Sequence, residues 1–380
     1  MAFDHYIQSG GRRLRCGYTT GTCAALAAAG CVRFLMSGTW PETVRLRTPK
    51  GWMVEVPLEG CRYEENTACC GVRKDGGDDI DRTHGAIIEA AVSLTDSPGI
   101  TIDGGPGVGR VTKPGLDQPV GAAAINRIPR EMITRAAEDI FSLFGYEGGA
   151  RVVISVPEGA NIAEDTFNPH LGIRGGISIL GTSGIVEPMS VQAVIDTIAL
   201  EIRQAAAQNA KTLILTPGNY GMTFLREHGF DRFGIPVVKC SNYIGDALDQ
   251  TAMEGFEQVL LVGHIGKLVK LAGGIFNTHS RTADCRAELF TAHAALCGGG
   301  PDLCRRLMNC ATADACVDEL EQTGLREEVV ISLLSRIQTH LSRRAGERCV
   351  VGAVLFSNQY GYLGETERAR IIMDGLKRGF

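Results

Sequence analysis

The sequence predicts two domains, an α+β domain over residues 1–185 and a Rossmann-like α/β domain over residues 186–380. Length is the first reason, because a chain of 380 residues exceeds the usual size of one domain, roughly 150 residues. The second reason is that short apolar runs alternate with helical segments only in the second half, a rhythm typical of βαβ units around a parallel sheet. The first half mixes strands and helices without that alternation, which is typical of an α+β unit.

Three helices are expected in the first domain. One covers residues 24–36 and is capped by Thr20 or Thr22, because its Ala-Ala-Leu-Ala-Ala-Ala core strongly favours a helix. The others cover residues 85–94 and 129–143. Strands are expected at residues 43–48, 52–58, 67–72 and 151–156, with a glycine-rich, hairpin-like stretch at residues 99–113.

The second domain is expected to start with a helix and then alternate. Strands are predicted at residues 211–216, 235–239, 258–262 and 349–356. Helices are predicted at residues 190–208, 282–296, 325–341 and 365–377, with shorter ones after the first three strands.

Three strand-to-helix turns of the second domain carry glycine at the carboxyl ends of the strands, at residues 217–221, 241–245 and 263–267. Open α/β sheets bind ligands at such ends, near the point where the strand order reverses. Glycine lets the backbone approach a ligand closely, and helix N-termini offer amide donors to anions. The turns therefore predict a site for a nucleoside-bearing cofactor, and the expected cofactor-binding residues are Gly218, Asn219, Tyr220, Gly221, Asn242, Gly245, Gly263 and Gly266.

Composition excludes several classes of protein. With 44% hydrophobic and 21% charged residues the chain resembles neither a disordered nor a membrane protein, and no apolar run approaches the ~20 residues of a membrane span. Aromatic residues at 6% and a net charge of −5 argue against nucleic acid as a partner. Thirteen scattered cysteines without a CxxC pair indicate a reducing, cytoplasmic location. The Arg-Arg-Leu-Arg segment at residues 12–15 faintly resembles an export signal, but residues 19–22 interrupt the apolar stretch that should follow.

Two nucleotide-binding motifs are rejected on context. Residues 104–109 have the glycine spacing of a dinucleotide fingerprint, but no helix is expected after them. Residues 263–267 are too short for a phosphate-binding P-loop and are followed by Leu268 rather than Ser or Thr. Neither NAD nor ATP is therefore supported.

The densest acidic cluster is Asp75, Asp78, Asp79 and Asp81. Three close carboxylates can hold a divalent ion or orient a base, whereas Asp side chains also stabilise turns at strand ends. Both interpretations are open. No protein-bound metal is expected, because the histidines and cysteines lack zinc spacing.

Polar loops suggest residues for proton transfer and for anion binding. His264, His279 and Asp284 are the candidate catalytic residues, since they lie among Gly, Asn, Thr and Ser in expected loops. A hydrogen-bonded structural histidine is the alternative at either position. Basic residues within the glycine-rich segments suggest a pocket for a carboxylated ligand, although surface charge explains some of them. They include Arg110, Lys113, Arg174 and Lys267.

In combination these segments resemble the CbiD family. The matching stretches occur in family order from residue 16 to beyond residue 280. A departure occurs at residues 78–83, where Asp-Asp-Ile-Asp-Arg-Thr replaces the expected Asp-Asp-Pro-Asp-Val-Thr. The stretches are residues 17–24, 74–79, 104–115, 124–126, 166–169, 171–182, 216–221 and 263–280.

The resemblance implies an S-adenosylmethionine-dependent methyltransferase of anaerobic cobalamin biosynthesis, which methylates C-1 of cobalt-precorrin-5B to give cobalt-precorrin-6A. Cobalt would arrive with the substrate, and the pocket would lie between the two domains. The substrate's acidic arms would face Thr19, Thr20, Thr22, Arg110, Lys113, Arg174 and Lys267. Two alternatives remain, a nicotinamide-dependent oxidoreductase and a non-catalytic corrinoid carrier; association with further copies or with other pathway enzymes is also left open.

Overall fold

The structure is a computed structural model that describes residues 3–9, 11–166, 168–169, 171–346 and 349–378. Phe167, within the predicted motif at residues 166–169, lies outside the described residues. The chain divides into two compact units, Met1–Val191 and Gln192–Phe380. The boundary predicted from the sequence is at residue 185.

The first unit is built on a five-stranded sheet with the order β6-β7-β8-β12-β9. Its helices are α1 (Thr20–Ser37), α2 (Arg127–Phe144) and α3 (Gly159–Glu164). Neighbouring strands of the sheet are antiparallel except β12 and β9, which are parallel. The strands of the unit are β1 (Tyr6–Ser9), β2 (Arg12–Arg15), β3 (Gly17–Tyr18), β4 (Thr43–Arg47), β5 (Met53–Pro57), β6 (Glu59–Glu64), β7 (Thr67–Arg73), β8 (Ile87–Thr95), β9 (Gly99–Gly104), β10 (Gly107–Val108), β11 (Arg110–Val111), β12 (Gly149–Ser155), β13 (Ile173–Arg174), β14 (Gly176–Ile177) and β15 (Ile185–Val186).

The helix predicted at residues 85–94 is wrong, because this segment forms the central strand β8. Its side chains alternate between buried and half-buried positions, with Ile88, Ala90 and Val92 in the core. That alternation has the period of a strand. The two alanines favour a helix locally, but pairing with β7 and β12 on both sides overrides this preference.

Helix α1 is the central helix of the first unit and packs on β7, β8 and α2. The predicted cap, Thr20 or Thr22, is wrong: α1 begins at Thr20 and is capped by Thr19, whose Oγ1 accepts a hydrogen bond from the Thr22 amide at 3.2 Å. By length and composition α1 is also a candidate membrane span, which the sequence expectation missed, but 72% of it is buried inside the protein. It therefore serves as a core helix of this unit.

The second unit contains a five-stranded sheet with helices on both faces. Its strands are β16 (Thr212–Thr216), β17 (Val237–Lys239), β18 (Gln258–His264), β19 (Val350–Ser357) and β20 (Gly361–Glu365). Two 3₁₀ helices cover Phe230–Phe233 and Val269–Gly273. The α-helices are α4 (Val191–Ala207), α5 (Asn219–Glu227), α6 (Ile244–Met253), α7 (Ile265–Leu268), α8 (Arg286–Leu296), α9 (Pro301–Met308), α10 (Ala313–Gln322), α11 (Arg326–Ala345) and α12 (Glu367–Arg378).

This sheet has the order β17-β16-β18-β19-β20, with β20 antiparallel to four parallel strands. Successive side chains of a strand point to opposite faces. Leu213 and Leu215 accordingly join the larger core with α6, α8 and α11, while Ile214 joins a smaller core with α5 and α12. Both faces are buried, and this arrangement supports our proposal that the second domain is Rossmann-like.

Candidate functional site

Four adjacent parallel strands of the second unit end in polar side chains at one edge of the sheet. In sheet order, β17, β16, β18 and β19 end at Lys239, Thr216, His264 and Ser357. The order reverses between β16 and β18, because β17 follows β16 on one side whereas β18 and β19 lie on the other. Ligands of doubly wound sheets bind beyond the carboxyl ends at such a reversal. The loops of residues 217–221 and 263–267, here called the switch-point loops, are therefore the candidate site.

Gly218 is the glycine of these loops that faces open space. A Cβ atom at Gly221 would collide with Oγ1 of Thr216, so glycine there lets the first turn of α5 pack onto the end of β16. At Gly218 the nearest atom to such a Cβ is the Lys267 ammonium nitrogen, at 3.9 Å. A ligand can therefore approach the backbone closely at Gly218.

Other predicted cofactor-binding glycines make room for protein atoms. A Cβ at Gly245 would lie 2.7 Å from the guanidinium carbon of Arg344, whose side chain also pairs with Asp249. A Cβ at Gly263 would lie 2.9 Å from Cγ of Leu268. Packing thus explains glycine at both positions, and cofactor binding by them stays a prediction.

Within the described part of the chain, no side chain caps the first turn of α5. Gly218 precedes the helix, so its first amides lack an intrahelical acceptor and a side-chain cap. At each of the other two helix starts at this edge, a backbone amide of the first turn has a hydrogen-bond acceptor. The Gly245 amide of α6 donates to the Phe276 carbonyl at 3.2 Å, and the Gly266 amide of α7 donates to Nδ1 of His264 at 3.1 Å. Of these three helix starts, α5 is the one whose positive end is open to an anion.

Lys267 places a half-buried ammonium group beside the start of α5. Its Nζ donates to the Pro217 carbonyl at 2.7 Å. Among the described residues no carboxylate lies within ion-pair distance of it. Burial lowers the pKa of Lys267; the interaction with Cys240 opposes this shift, and the neighbouring Lys270 adds to it. A cation removed from water without a counter-charge favours the binding of an anion.

The Thr216 hydroxyl is buried at the same point. The residue is 0% exposed, and its Oγ1 has no hydrogen-bond partner in the part of the chain that the structure describes. It lies against Gly221, beneath the first turn of α5. An unsatisfied buried hydroxyl costs about 1–3 kcal/mol, so it marks a place where a further hydrogen-bonding group is expected.

His264 is held by a hydrogen bond at one of its two ring nitrogens, Nδ1. Because Nδ1 accepts the Gly266 amide, the neutral ring carries its proton on Nε2. Nε2 lies 3.4 Å from the Asp314 carboxylate, without the geometry of a hydrogen bond. Burial lowers the pKa of His264, and the charge of Asp314 only partly opposes this. In the neutral ring, the lone pair of Nδ1 is therefore already used by the Gly266 amide. The geometry gives His264 the role of a helix cap, and proton transfer by His264 stays a prediction.

His279 lies beside the loop that follows β17. The Thr278 amide next to it donates to the Asn242 carbonyl at 2.9 Å, which places this segment along the predicted cofactor loop. Nδ1 of His279 accepts the Arg281 amide at 3.1 Å. Its neutral ring therefore also carries the proton on Nε2 and would donate rather than accept a hydrogen bond there.

Asp284 is paired with Arg286. Its two carboxylate oxygens accept from the guanidinium at 2.5 and 2.8 Å, and this hydrogen bonding lowers the pKa of Asp284. An ionised carboxylate with a lowered pKa is a weak base. The buried Lys270 ammonium ties the segment together by donating to the Thr278 and Ala283 carbonyls at 3.1 and 2.7 Å.

In the first unit, the three threonines predicted to bind substrate are buried and hydrogen-bonded. Thr19 caps α1 as described above. Oγ1 of Thr20 accepts the Leu180 amide at 2.9 Å, and Oγ1 of Thr22 donates to the Gly184 carbonyl at 2.6 Å. These bonds fix the segment around residues 178–184 to the start of α1. Substrate binding by the threonines stays a prediction.

The structure brings together the three other predicted substrate-binding cations of this unit. Arg110 on β11 lies directly opposite Arg174 on the antiparallel strand β13. Lys113 follows β11, and its aliphatic stem lies over Gly172, where a Cβ would collide with it. Arg110 also pairs with Asp103 at 2.7 Å. The Asp103 carboxylate compensates Arg110, so the segment holds three cations and one anion, and its net positive charge favours an anionic ligand.

The acidic cluster forms a turn whose carboxylates bind protein donors. Asp75 accepts from the Arg15 guanidinium at 2.5 and 2.8 Å. Asp81 accepts from the buried Lys74 ammonium at 2.5 Å and from the amide and hydroxyl of Thr83 at 2.8 and 2.6 Å. These contacts favour the structural interpretation of the cluster. Within the described ranges no group of three or more His, Cys, Asp or Glu residues is arranged to hold a metal ion.

Asp314 and Ser357 are residues of the site that the sequence analysis missed. The Ser357 hydroxyl donates to Oδ1 of Asp314 at 2.6 Å, which holds the other carboxylate oxygen near His264. Ser357 could have been found, because it is the polar end of a strand of buried apolar residues, as are Thr216 and His264. Asp314 comes from α10, and no local pattern places that helix beside the sheet.

A model of the CbiD family matches residues 7–188, and a model of the CbiD C-terminal domain matches residues 277–367. Cobalt-precorrin-5B C(1)-methyltransferase of Ruminiclostridium cellulolyticum is 46% identical over 93% of this chain and 92% of that protein. The protein of the same name from Alkaliphilus metalliredigens is 40% identical over 98% of both chains.

One solved structure also resembles the chain. It is the crystal structure of a cobalamin biosynthesis protein (cbiD) from Archaeoglobus fulgidus, which is 30% identical, with a TM-score of 0.39 over 73% of this chain and 86% of that chain. The two relatives named above match nearly the full length of this chain, and the family models match both of its units. The resemblance predicted from the sequence is confirmed: the chain belongs to the CbiD family.

Proposed function

We propose that the protein transfers a methyl group from S-adenosylmethionine to C-1 of cobalt-precorrin-5B. The observation that carries this proposal is the 46% identity, over nearly the full length of both chains, to a relative named cobalt-precorrin-5B C(1)-methyltransferase. The proposed substrate is a cobalt-bearing tetrapyrrole, and its cobalt is part of the substrate.

The switch-point loops fit a methyl donor of this kind. S-adenosylmethionine carries a carboxylate, and the start of α5 offers amides to an anion together with the Lys267 ammonium group, which has no carboxylate partner among the described residues. When bound, its sulfonium supplies a methyl group that is already electrophilic. We therefore assign the donor to the carboxyl edge of the second unit's sheet.

The first unit offers cations for the acidic arms of the macrocycle. The paired strands β11 and β13 carry Arg110 and Arg174, and Lys113 follows β11. Guanidinium groups bind carboxylates with two hydrogen bonds. No covalent nucleophile is needed for such a transfer. The protein's contribution is to orient the reactants and to exclude water. Orientation of this kind can lower the free-energy barrier of a reaction by about 7–11 kcal/mol.

Product mass tests the proposal. The full chain is incubated with cobalt-precorrin-5B and S-adenosylmethionine, and we expect a product heavier by one methyl group together with S-adenosylhomocysteine. Tight binding of the macrocycle without a mass gain would favour a non-catalytic carrier. A titration that detects NAD but not S-adenosylmethionine would favour the oxidoreductase.

His264→Asn is expected to retain methyl transfer. The asparagine Oδ1 can accept the Gly266 amide as Nδ1 of histidine does, and Asn is among the best N-cap residues. The steady-state rate constant should therefore change little, whereas His264→Ala removes the cap and should lower the free energy of unfolding by about 1 kcal/mol. If His264 instead moves a proton, the asparagine variant should lose about 100-fold or more in rate.

A further inference from the structure

The start of α5 differs from the neighbouring helix starts in three independent ways. Among the described residues its first amides have neither a side-chain cap nor a loop carbonyl as acceptor, Gly218 leaves the approach to them open, and the Lys267 ammonium beside them has no carboxylate partner. The Thr216 hydroxyl, buried under the same turn, has no partner within the described part of the chain. We propose that Lys267, Thr216 and the first amides of α5 together form a binding site for one carboxylate group of a ligand.

The number of donors and the charge of the site match a carboxylate. An ammonium group has three N–H donors, and one of those on Lys267 is used by the Pro217 carbonyl. The remaining donors, with the amides of α5, suit the two oxygens of a carboxylate. A single half-buried cation balances one negative charge, so a doubly charged phosphate would leave a charge uncompensated. An anion here also interacts favourably with the positive, N-terminal end of the α5 helix dipole.

This inference rests on the proposed function for the identity of the ligand. Two molecules of the proposed reaction carry carboxylates, the methyl donor at its methionyl end and the macrocycle on its acidic arms. The chemistry that the site recognises is the same for both. Binding experiments with separate probes distinguish the two sources.

The test uses isothermal titration of the full chain with three probes. S-adenosylhomocysteine carries the amino-acid carboxylate of the donor. Methylthioadenosine has the same nucleoside but a methyl group in place of the whole aminocarboxypropyl group, and uroporphyrin presents the acidic arms of a tetrapyrrole. We expect Lys267→Met to weaken S-adenosylhomocysteine binding by about tenfold to 100-fold, since a charge-assisted contact is lost. Affinity for methylthioadenosine should stay close to that of the wild type. Lys267→Arg, which keeps the charge, should recover much of the loss.

Lys211→Ala is the matched control. Lys211 lies at the opposite end of β16, is exposed and pairs with Glu257 at 3.0 Å, so its loss changes the net charge equally without touching the site. Thermal unfolding of each variant establishes that it is folded. Thr216→Val, which removes the buried hydroxyl at nearly constant volume, should weaken S-adenosylhomocysteine but not methylthioadenosine.

The outcomes separate this inference from the proposed function. Weaker uroporphyrin binding by Lys267→Met, with unchanged S-adenosylhomocysteine binding, assigns the carboxylate to the macrocycle. Unchanged binding of both probes by folded Lys267→Met overturns the site. A wild-type chain that binds S-adenosylhomocysteine through Lys267 but transfers no methyl group overturns the proposed function and leaves the carboxylate site standing.

Discussion

Asp81→Ala is expected to destabilise the first unit by about 3–5 kcal/mol, the usual cost of breaking a buried ion pair from one side. The Lys74 side chain is only 2% exposed, and the Asp81 carboxylate is its counter-charge at 2.5 Å. Removing the carboxylate leaves an ammonium group in the interior, and the amide and hydroxyl of Thr83 lose their acceptor. Urea unfolding of the wild type and the variant measures the difference.

The double variant Lys74→Met/Asp81→Ala tests the reason for this loss. It removes both charges, so its free energy of unfolding should lie above that of Asp81→Ala alone. Asp165→Ala serves as the control, because its partner Arg82 lies 4.0 Å away and both side chains are exposed; its cost should be below about 1 kcal/mol. A double variant as unstable as Asp81→Ala would contradict the account.

The same pair sets a dependence on acid pH. Burial alone would raise the pKa of Asp81, but the charge of Lys74 and the hydrogen bonds of Lys74 and Thr83 hold it below its usual value. A carboxyl whose pKa is lowered on folding stabilises the protein above its unfolded pKa, about 3.9, and this contribution is lost as the pH falls below that value. The stability of Asp81→Asn should therefore decline less steeply than that of the wild type below about pH 4.

Arg174→Glu is expected to raise the KM for cobalt-precorrin-5B by about 100-fold while it makes the first unit slightly more stable. Arg174 and Arg110 lie in opposite positions on antiparallel strands, so reversing one charge gives Arg110 a second carboxylate partner besides Asp103. That pairing is worth about 0.2–1 kcal/mol. The same change places a carboxylate where the macrocycle's acidic arm is proposed to bind.

Opposite signs for binding and stability are the diagnostic result. Arg305→Glu changes the net charge equally at an exposed position of the second unit, where Arg305 pairs with Asp302, and should leave the KM unchanged. Steady-state kinetics and thermal unfolding of both variants provide the comparison. An unchanged KM for Arg174→Glu would remove this pair from the substrate site.

The sequence located the switch-point loops because alternating strands and helices have a strong local signature. Each loop follows a buried apolar strand, and the carboxyl ends of parallel strands necessarily meet at one edge. The purpose of the glycines could not be predicted in this way. Gly245 gives room to Arg344, which lies almost 100 residues away in the chain, so its reason appears only in the folded structure.

Long-range packing also explains the errors. Residues 87–95 contain alanines that favour a helix, but their neighbours in the sheet make them strand β8. Asp314 reaches His264 because α10 packs against α7, and no pattern near residue 314 indicates that contact. The acidic cluster was found but its role was open, since its partners Arg15 and Lys74 are known only from the fold.

Transfer of an isotopically labelled methyl group tests the central claim most directly. The wild-type chain is incubated with cobalt-precorrin-5B and S-adenosylmethionine labelled in its methyl group, and the product is examined by nuclear magnetic resonance. We predict one labelled methyl signal at C-1 of the ring, produced only when the chain is present. A product without label, or with label at another ring carbon, would contradict the account.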